Sequence, residues 1–297
     1  MNFAQNKYNL NKLGHGMKII LSRKGFDSGY GGCPSFIMPD RRLISLPIPW
    51  PADKICYSDL RYTNEQSYFD IMKQVRPKIK MDGNFVELTP GTRCHLDPDL
   101  ERGVYPRHDE WRPVFGQVNQ AQRHLENQGV GIGDIFLFFG LFRRVIIADG
   151  RCQFDKNSLP VHLIFGYLQI SEIIKTKGNP DIPGWLMYHP HLQTDSAERD
   201  TNTLYIASER LSLDDSLSGG GMLKYSDGNV LTKTGMCASR WDPPDFFRDV
   251  KISYHGEDSK YGWKDGYFQS ALKGQEFVIE ENPSVENWAG KIIREAV

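Results

Sequence analysis

The stretch MKIILSRKGFDSGYGGCPSFIMPDRRLISLPIP, residues 17–49, organises the interpretation of the whole chain. Its Ile-Ile-Leu segment predicts a strand over residues 17–21 that is covered on both faces, and residues 43–46 predict a second strand. Between the two strands lies a polar, glycine-rich turn. Glycine permits positive φ and close backbone approach, so this turn can direct side chains and N–H groups at a bound ligand. The alternative is a charged turn in which Asp27 and Ser28 make only local hydrogen bonds to the backbone.

Length and composition are those of an ordinary globular protein. The chain has 297 residues, of which 39% are hydrophobic and 25% are charged, so it can bury a substantial core. Its longest apolar runs, such as residues 135–139, are too short to cross a bilayer, and we expect no membrane partner. Residues 1–16 contain no apolar segment like that of a signal peptide and predict a flexible leader. Residues 17–297 are expected to form one domain, with a subdivision near residue 180 as the alternative.

Charge and cysteine content limit the partners and the compartment. The net charge is −1, so any contact with nucleic acid must use local patches, because no global field attracts the polymer. The five cysteines are scattered and include no Cys-x-x-Cys pair, which argues against a disulfide framework and against a structural zinc site. These observations predict a cytoplasmic protein.

The hydrophobic patterns predict a mixed α+β fold with mainly antiparallel sheets and a few short helices. Helical spacing follows Asn64, a short helix is predicted over residues 119–128, and Ser284 is expected to cap a final helix. The strand patterns after the first two cover residues 135–139, 161–174, 203–207 and 275–279.

Alternating polar residues in a long loop form the first candidate for chemistry. His95, Asp97 and Asp99 would point to one side of an extended segment, where they could serve acid–base chemistry or hold a metal ion. Pro98 favours a turn equally, and the sequence assigns no metal ligands.

His189 and His191 form a His-x-His pair, which a strand would present on one face as several metal sites require. The intervening proline weakens the strand, so surface histidines with local hydrogen bonds are the favoured interpretation.

Aromatic residues in polar, turn-rich segments are candidates for holding a base. Arg240 precedes Trp241, and an aromatic face beside a cation suits a stacked base with a neighbouring phosphate. Core packing is the alternative for each tryptophan. We recognise no P-loop, nucleophile elbow or deaminase zinc signature, so the cofactor is unknown and the reaction type stays open.

Short motifs are spread over most of the chain. They are SRKGFDS (22–28), Gly31-Gly32, Pro34-Ser35, SLPIP (45–49), HLDPDL (95–100), Gly116-Gln117, Gly133-Asp134, FLFFG (136–140) and FGYLQ (165–169). Together they resemble a bacterial and phage family, the nucleotide modification associated domain of the third type. The resemblance spans residues 17–280 and implies a role near enzymes that modify bases in DNA, of phage or defence-island origin. It brings no established catalytic mechanism.

Residues and resemblance together predict an enzyme that modifies bases in nucleic acid or in nucleotides, by transferase or glycosyl-bond chemistry. The expected partners are a nucleic acid or a nucleotide, together with other base-modification proteins. The alternative is a non-catalytic reader of a modified base, since residues 125–175 also resemble the small PUA-like barrels that hold flipped bases. The predicted catalytic residues are Asp27, His95, Asp97 and Asp99. The predicted substrate-binding residues are Ser22, Arg23, Lys24, Ser28, Gln117, Gln169, Arg240 and Trp241.

Overall fold

The computed structural model describes residues 16–193, 195–256, 259–272 and 274–297. The predicted leader therefore lies outside the described residues except for Gly16. No helix in the described part of the chain combines the length and the apolar character that a bilayer crossing requires.

The described residues contain four α-helices, several short 3-10 helices and many short strands. The helices are α1 (Tyr68–Val75), α2 (Asn119–Asn127), α3 (Pro190–Gln193) and α4 (Pro283–Ala296). The strands are β1 (Ile19–Arg23), β2 (Ser35–Ile37), β3 (Leu43–Ile44), β4 (Lys78–Met81), β5 (Asn84–Glu87), β6 (Val114–Gln117), β7 (Ile135–Ala148), β8 (Arg151–Phe154), β9 (Val161–Lys175), β10 (Thr203–Ala207), β11 (Arg210–Leu211), β12 (Asp214–Ser218), β13 (Gly220–Met222), β14 (Arg240–Trp241), β15 (Gly262–Lys264), β16 (Tyr267–Gln269) and β17 (Glu276–Ile279).

One large curled sheet, a half-barrel, dominates the fold and confirms the predicted α+β class with mainly antiparallel strands. Its main path runs β17-β1-β7-β9-β10-β6, with β2, β3, β8 and β13 attached to the side of this path. Strands β1 and β2 run parallel to β7, and the other pairs in the sheet are antiparallel. The strands within residues 125–175 pair with β1 and β10 from other parts of the chain, so the curled sheet is assembled from distant segments.

The predicted two-sided burial of the first strand is found in β1. Ile19 and Leu21 pack in the core cluster on one face of the sheet, where Ile293 of helix α4 also lies. Ile20 packs in the cluster on the other face, together with Phe136 of β7. Side chains alternate between the faces of a strand, so an uninterrupted apolar run is what a strand covered on both sides requires. The first of these clusters joins residues from both sides of position 180.

Helix boundaries differ slightly from the predicted ones, because the capping residue decides where a helix begins. Ser67, not Asn64, caps α1 in a reciprocal capping box with Asp70. Asn282 caps α4, and Pro283 occupies its first turn, where a missing N–H is tolerated. The predicted cap Ser284 therefore lies inside the helix.

A further core cluster supports the loops that lead to the cleft described below. It joins Phe26 from the turn after β1, Tyr57, and Leu96 from the loop before β6. The Tyr57 hydroxyl donates a hydrogen bond of 2.6 Å to the carbonyl of Pro47. This packing fixes the two loops relative to one another.

Trp241 belongs to the core. Its side chain is 2% exposed and packs against Phe139 and Phe268. Its indole N–H donates a hydrogen bond of 3.1 Å to Nδ1 of His162. In this position the ring cannot stack on a base. Trp241 instead has the core-packing role that was the alternative for each tryptophan.

We expect Gly31→Ala to destabilise the fold more than Gly83→Ala. Both glycines have positive φ, +75° and +82°, so each substitution strains the backbone by about 1 kcal/mol. A Cβ on Gly31 would lie 2.0 Å from the buried ring of Phe26, whereas nothing lies within 4 Å of a Cβ on Gly83. Overpacking should add about 1–3 kcal/mol at Gly31 alone. Urea denaturation of both variants measures the difference, and equal losses would contradict the packing described for Phe26.

His162 should make the fold more sensitive to acid. Burial, with a smaller effect of Arg23, lowers the pKa of His162 from 6.5 to about 3. Its contribution to stability is therefore complete above pH 6.5 and is lost as the pH falls towards 3. His162→Gln keeps an acceptor for Trp241 but does not titrate. Between pH 7 and pH 4 the free energy of unfolding should therefore fall less for this variant than for the wild type, and the difference should be roughly 2–3 kcal/mol. His108→Gln, at an exposed histidine, should follow the wild type.

Candidate functional site

A cleft of about 640 Å³ opens where the turn after β1 meets the loop before β6 and the short helix α3. Its volume lies in the range of sites for small molecules and cofactors. Its polar lining includes Arg23, Lys24, Asp27, Ser28, His95, Asp97, Gln117, His162 and His191. The predicted binding turn and the predicted acid–base residues His95 and Asp97 thus face the same space.

The two end strands of the main sheet path meet at this cleft through side chains. Glu276, at the start of β17, is 1% exposed. Its Oε1 accepts hydrogen bonds from Nε2 of Gln117 in β6 at 2.6 Å and from Nζ of Lys24 at 2.9 Å. The ion pair with Glu276 fixes the Lys24 ammonium and compensates its charge. Lys24 therefore attracts a phosphate less than an unpaired lysine would.

The turn after β1 has features of both predicted forms, a turn held by local hydrogen bonds and a turn that faces a ligand site. Asp27 Oδ1 accepts the backbone N–H groups of Gly29 and Tyr30 at 2.7 and 2.8 Å, so this carboxylate holds the turn locally. Asp27 and Arg23 also line the cleft. Nη2 of Arg23 donates to the carbonyls of Leu272 and Gly274, and among the described residues its Nε and Nη1 make no hydrogen bond. Burial lowers the pKa of Arg23, which still leaves an arginine charged at neutral pH.

Two histidines and one aspartate converge on one side of the cleft. The ligating atoms of His95, Asp97 and His191 all lie within 4.8 Å of one another. Each is held from behind by a hydrogen bond. Nδ1 of His95 lies 2.7 Å from a carboxylate oxygen of buried Asp53, and Nδ1 of His191 lies 2.5 Å from Oδ1 of Asn202.

Backbone and imidazole groups surround the carboxylate of Asp97. Oδ1 accepts the N–H of Gly116 at 2.7 Å, and Nε2 of His189 lies 3.4 Å from the same oxygen. Burial alone would raise the pKa of Asp97, but the Nε2–H group of His189, 3.4 Å away, and the other nearby imidazoles outweigh it and lower the pKa to about 2. Burial lowers the pKa of His191 to about 3, against the opposing effect of Asp97. At neutral pH Asp97 is therefore an anion and His191 is a neutral imidazole.

Gly116 permits the close packing of this cluster. A Cβ at this position would lie 2.5 Å from the ring of His191. Glycine is thus required here for the imidazole to lie against β6.

Asp99 lies outside the cleft. It is 1% exposed, and its oxygens accept hydrogen bonds from Arg107 at 2.6 Å, from Tyr188 at 2.5 Å and from Trp111 at 3.2 Å. The Arg107 guanidinium is also enclosed by the rings of Tyr105, Trp111 and Tyr188. Burial raises the pKa of Asp99, and this network opposes the rise. Of the three alternating residues, only His95 and Asp97 therefore lie together in the cleft.

Three other predicted binding residues also lie away from the lining of the cleft. Ser22 is fully buried in β1. Gln169 is buried in β9, where Nε2 donates to the carbonyl of Gly133 and to Ser212 Oγ. Arg240 is exposed and lies over the ring of Tyr267.

The interpretation of His189 and His191 as surface residues is wrong. They are 0% and 4% exposed, and His191 lies in helix α3, which begins at Pro190. The His-x-His pattern was therefore a real signal of the cluster. Asp53 and Asn202, which orient the two cluster histidines, carried no comparable signal in the sequence.

Comparison with known proteins agrees with the motifs in the sequence. Neither a search of curated proteins nor a search of solved structures found a match to this chain. The family model described as nucleotide modification associated domain 3 matches residues 18–280 and confirms the resemblance. Since this match covers most of the chain, the protein belongs to the nucleotide modification associated domain 3 family.

Proposed function

We propose that the protein is an enzyme that modifies a base, in DNA or in a nucleotide precursor, and that the cleft is its active site. The observation that carries this proposal is that one cleft contains both a partly buried His–Asp–His cluster and the cationic turn after β1. The family description, which names nucleotide modification, supports the substrate class.

The lining of the cleft suits a nucleotide. Arg23 offers a guanidinium edge for a phosphate, which the planar fork of arginine binds well. Ile48, Val118 and Leu141 add apolar surface against which a base can lie. Tyr30, 51% exposed at the same cleft, can stack on a base from the outside. We therefore assign sugar-phosphate binding to the turn and the reacting centre to the histidine and aspartate cluster.

The proposed location is the cytoplasm. All five cysteines have free thiols, which suits a reducing compartment. Other proteins of a base-modification system remain the proposed macromolecular partners, since the family description places this domain in association with nucleotide modification.

We expect Asp27→Asn and Asp97→Asn each to abolish the modification. Both substitutions keep an acceptor for the backbone N–H groups that the carboxylate binds, so both variants should fold. Asp27→Asn should change the free energy of unfolding by no more than about 1 kcal/mol. Asp97→Asn should lower it by about 2 kcal/mol, because the lowered pKa of Asp97 means that the fold favours the charged carboxylate. Loss of a positioned carboxylate, Asp97 in the cluster or Asp27 in the turn that faces it across the cleft, should reduce the reaction about 10²–10⁴-fold. The readout is mass spectrometry of nucleosides from DNA and nucleotide pools of cells that carry the wild type, each variant or no gene.

Asp109→Asn is the matched control, because its side chain is fully exposed outside the cleft. It should leave the modified nucleoside at the wild-type level. A wild type that binds modified DNA but adds no new nucleoside would favour the reader alternative. Equal product from wild type and Asp97→Asn would remove the cleft from the mechanism.

Asp99→Asn should cost more stability than Asp97→Asn. The change leaves the buried Arg107 guanidinium without its counter-charge, and breaking such a pair costs about 3–5 kcal/mol. Urea denaturation should show this loss for Asp99→Asn alone. A stable Asp99→Asn protein that lacks activity would instead return Asp99 to the catalytic residues.

A further inference from the structure

The hydrogen bonds of the three histidines near Asp97 fix which ring nitrogen of each carries the proton. Nδ1 of His95 faces a carboxylate oxygen of Asp53, which can only accept, so this nitrogen is the donor and Nε2 has the lone pair. Nδ1 of His191 faces Oδ1 of Asn202. The Asn202 amide orientation is set by its Nδ2, which donates to the carbonyl of His191 and to Thr176. His191 therefore also has its lone pair on Nε2.

His189 has the opposite tautomer. Its Nδ1 accepts the backbone N–H of His191 at 3.3 Å, so the proton is on Nε2. That nitrogen is buried and lies 3.4 Å from Asp97 Oδ1, without a well-aligned hydrogen bond in the described part of the chain. His189 thus offers a donor to Asp97, whereas His95 and His191 offer lone pairs.

Three acceptors consequently converge from two segments of the chain, the loop that carries His95 and Asp97 and the helix that carries His191. Nε2 of His191 lies 3.8 Å from Oδ2 of Asp97, and His95 completes a group within 4.8 Å. Acceptors that face each other in a buried place repel unless a positive centre lies between them. A metal ion with bonds of about 2.1 Å would bring such atoms to about 3–3.5 Å from one another, a small adjustment.

We propose that the cleft binds one divalent first-row transition-metal ion through Nε2 of His95, Nε2 of His191 and a carboxylate oxygen of Asp97. Two imidazoles and one carboxylate are the ligand types of zinc, manganese and non-haem iron sites, whereas magnesium and calcium prefer oxygen ligands alone. Three protein ligands leave coordination positions for water or substrate on the cleft side. Catalytic use of the ion rests on the proposed function, but its binding does not.

The surroundings of the three ligands are those of a metal site. Metal-bound histidines usually donate their second ring nitrogen to a carboxylate or carbonyl oxygen, as His95 does to Asp53 and His191 does to Asn202. His189 is a positioning residue, whose Nε2–H lies 3.4 Å from Asp97 Oδ1 and can donate to it.

The test uses the tag-free full-length protein, stripped of metal with a chelator and titrated without oxygen with Co²⁺, Zn²⁺, Fe²⁺ and Mg²⁺. Elemental analysis gives the stoichiometry, and the visible spectrum of Co²⁺ reports the coordination. We expect one transition-metal ion per chain, a ligand-field spectrum of nitrogen and oxygen coordination, and no comparable binding of Mg²⁺.

His95→Ala, His191→Phe and Asp97→Asn should each weaken binding by at least about 100-fold and remove the Co²⁺ spectrum, more than the loss usual for a supporting residue. His189→Gln should retain one ion per chain with an affinity about 10–100-fold lower. His108→Ala, at an exposed histidine, is the matched control and should bind as the wild type does. Circular dichroism checks that each variant is folded; His95 is partly exposed, so His95→Ala is decisive if a buried variant fails to fold.

A wild type that binds no transition metal in stoichiometric amount, or a folded His95→Ala protein that binds it as tightly as the wild type, would overturn the proposal. The same samples separate it from the proposed function. Tight binding without any modified nucleoside in cells would refute the enzymatic function and leave the metal site standing. Modified nucleoside made at the wild-type level by His95→Ala would refute the catalytic use of the ion while supporting the enzyme.

Discussion

The buried carboxylate of Glu276 connects the two ends of the curled sheet. It accepts hydrogen bonds from Gln117 in β6 and from Lys24 after β1, although β17 and β6 lie at opposite ends of the strand order. A carboxylate that is 1% exposed is costly unless its partners stay in place, since the desolvation of an unpaired charge amounts to several kcal/mol. The interaction therefore holds the curvature of the sheet, and with it the position of the cleft, which opens beside these three residues.

Strand β6 also positions the histidine and aspartate cluster. Gly116, next to Gln117, donates its N–H to Asp97 and makes room for the ring of His191. Asn202 immediately precedes β10, which pairs with β6, and its side chain binds both the ring and the carbonyl of His191. Two neighbouring strands thus position two members of the cluster. Sites supported by strands hold their geometry better than sites built on loops alone. The support from β6 and β10 therefore suits a function that needs fixed side chains.

Local pattern predicted the parts of this arrangement that depend on near neighbours. The buried first strand, the turn that follows it and the nearness of His95 to Asp97 follow from periodicity and short spacing. The supporting residues could not be found in this way, because their partners are distant in sequence: Lys24 and Glu276 are 252 positions apart, and His95 and Asp53 are 42 apart. Polar surroundings in sequence predict exposure for Trp241, and the FGYLQ motif of the family resemblance makes Gln169 a candidate for substrate binding, whereas the fold buries both side chains.

Pro190 shows how one local rule can mislead. A proline between two histidines weakens a strand, and the pair was therefore assigned to the surface. Proline suits the first turn of a helix equally well, and here it begins α3. The helix gives His189 and His191 different directions of hydrogen bonding, so the first can donate to Asp97 while the second keeps a lone pair. A strand would have presented both rings in the same way.

Asp97 and Asp99 of the HLDPDL motif have different contacts, and both bear on the same group of side chains. Asp97 faces the cleft, whereas Asp99 binds the hydroxyl of Tyr188, the residue before His189. The buried Asp99–Arg107 pair therefore anchors the segment that carries His189 and His191, and it does so from outside the lining of the cleft. Asp97 alone would supply charge to the cleft but would not fix the imidazoles around it. The two aspartates thus have different roles: Asp97 supplies negative charge to the cleft, and Asp99 holds in place the segment whose side chains surround that charge.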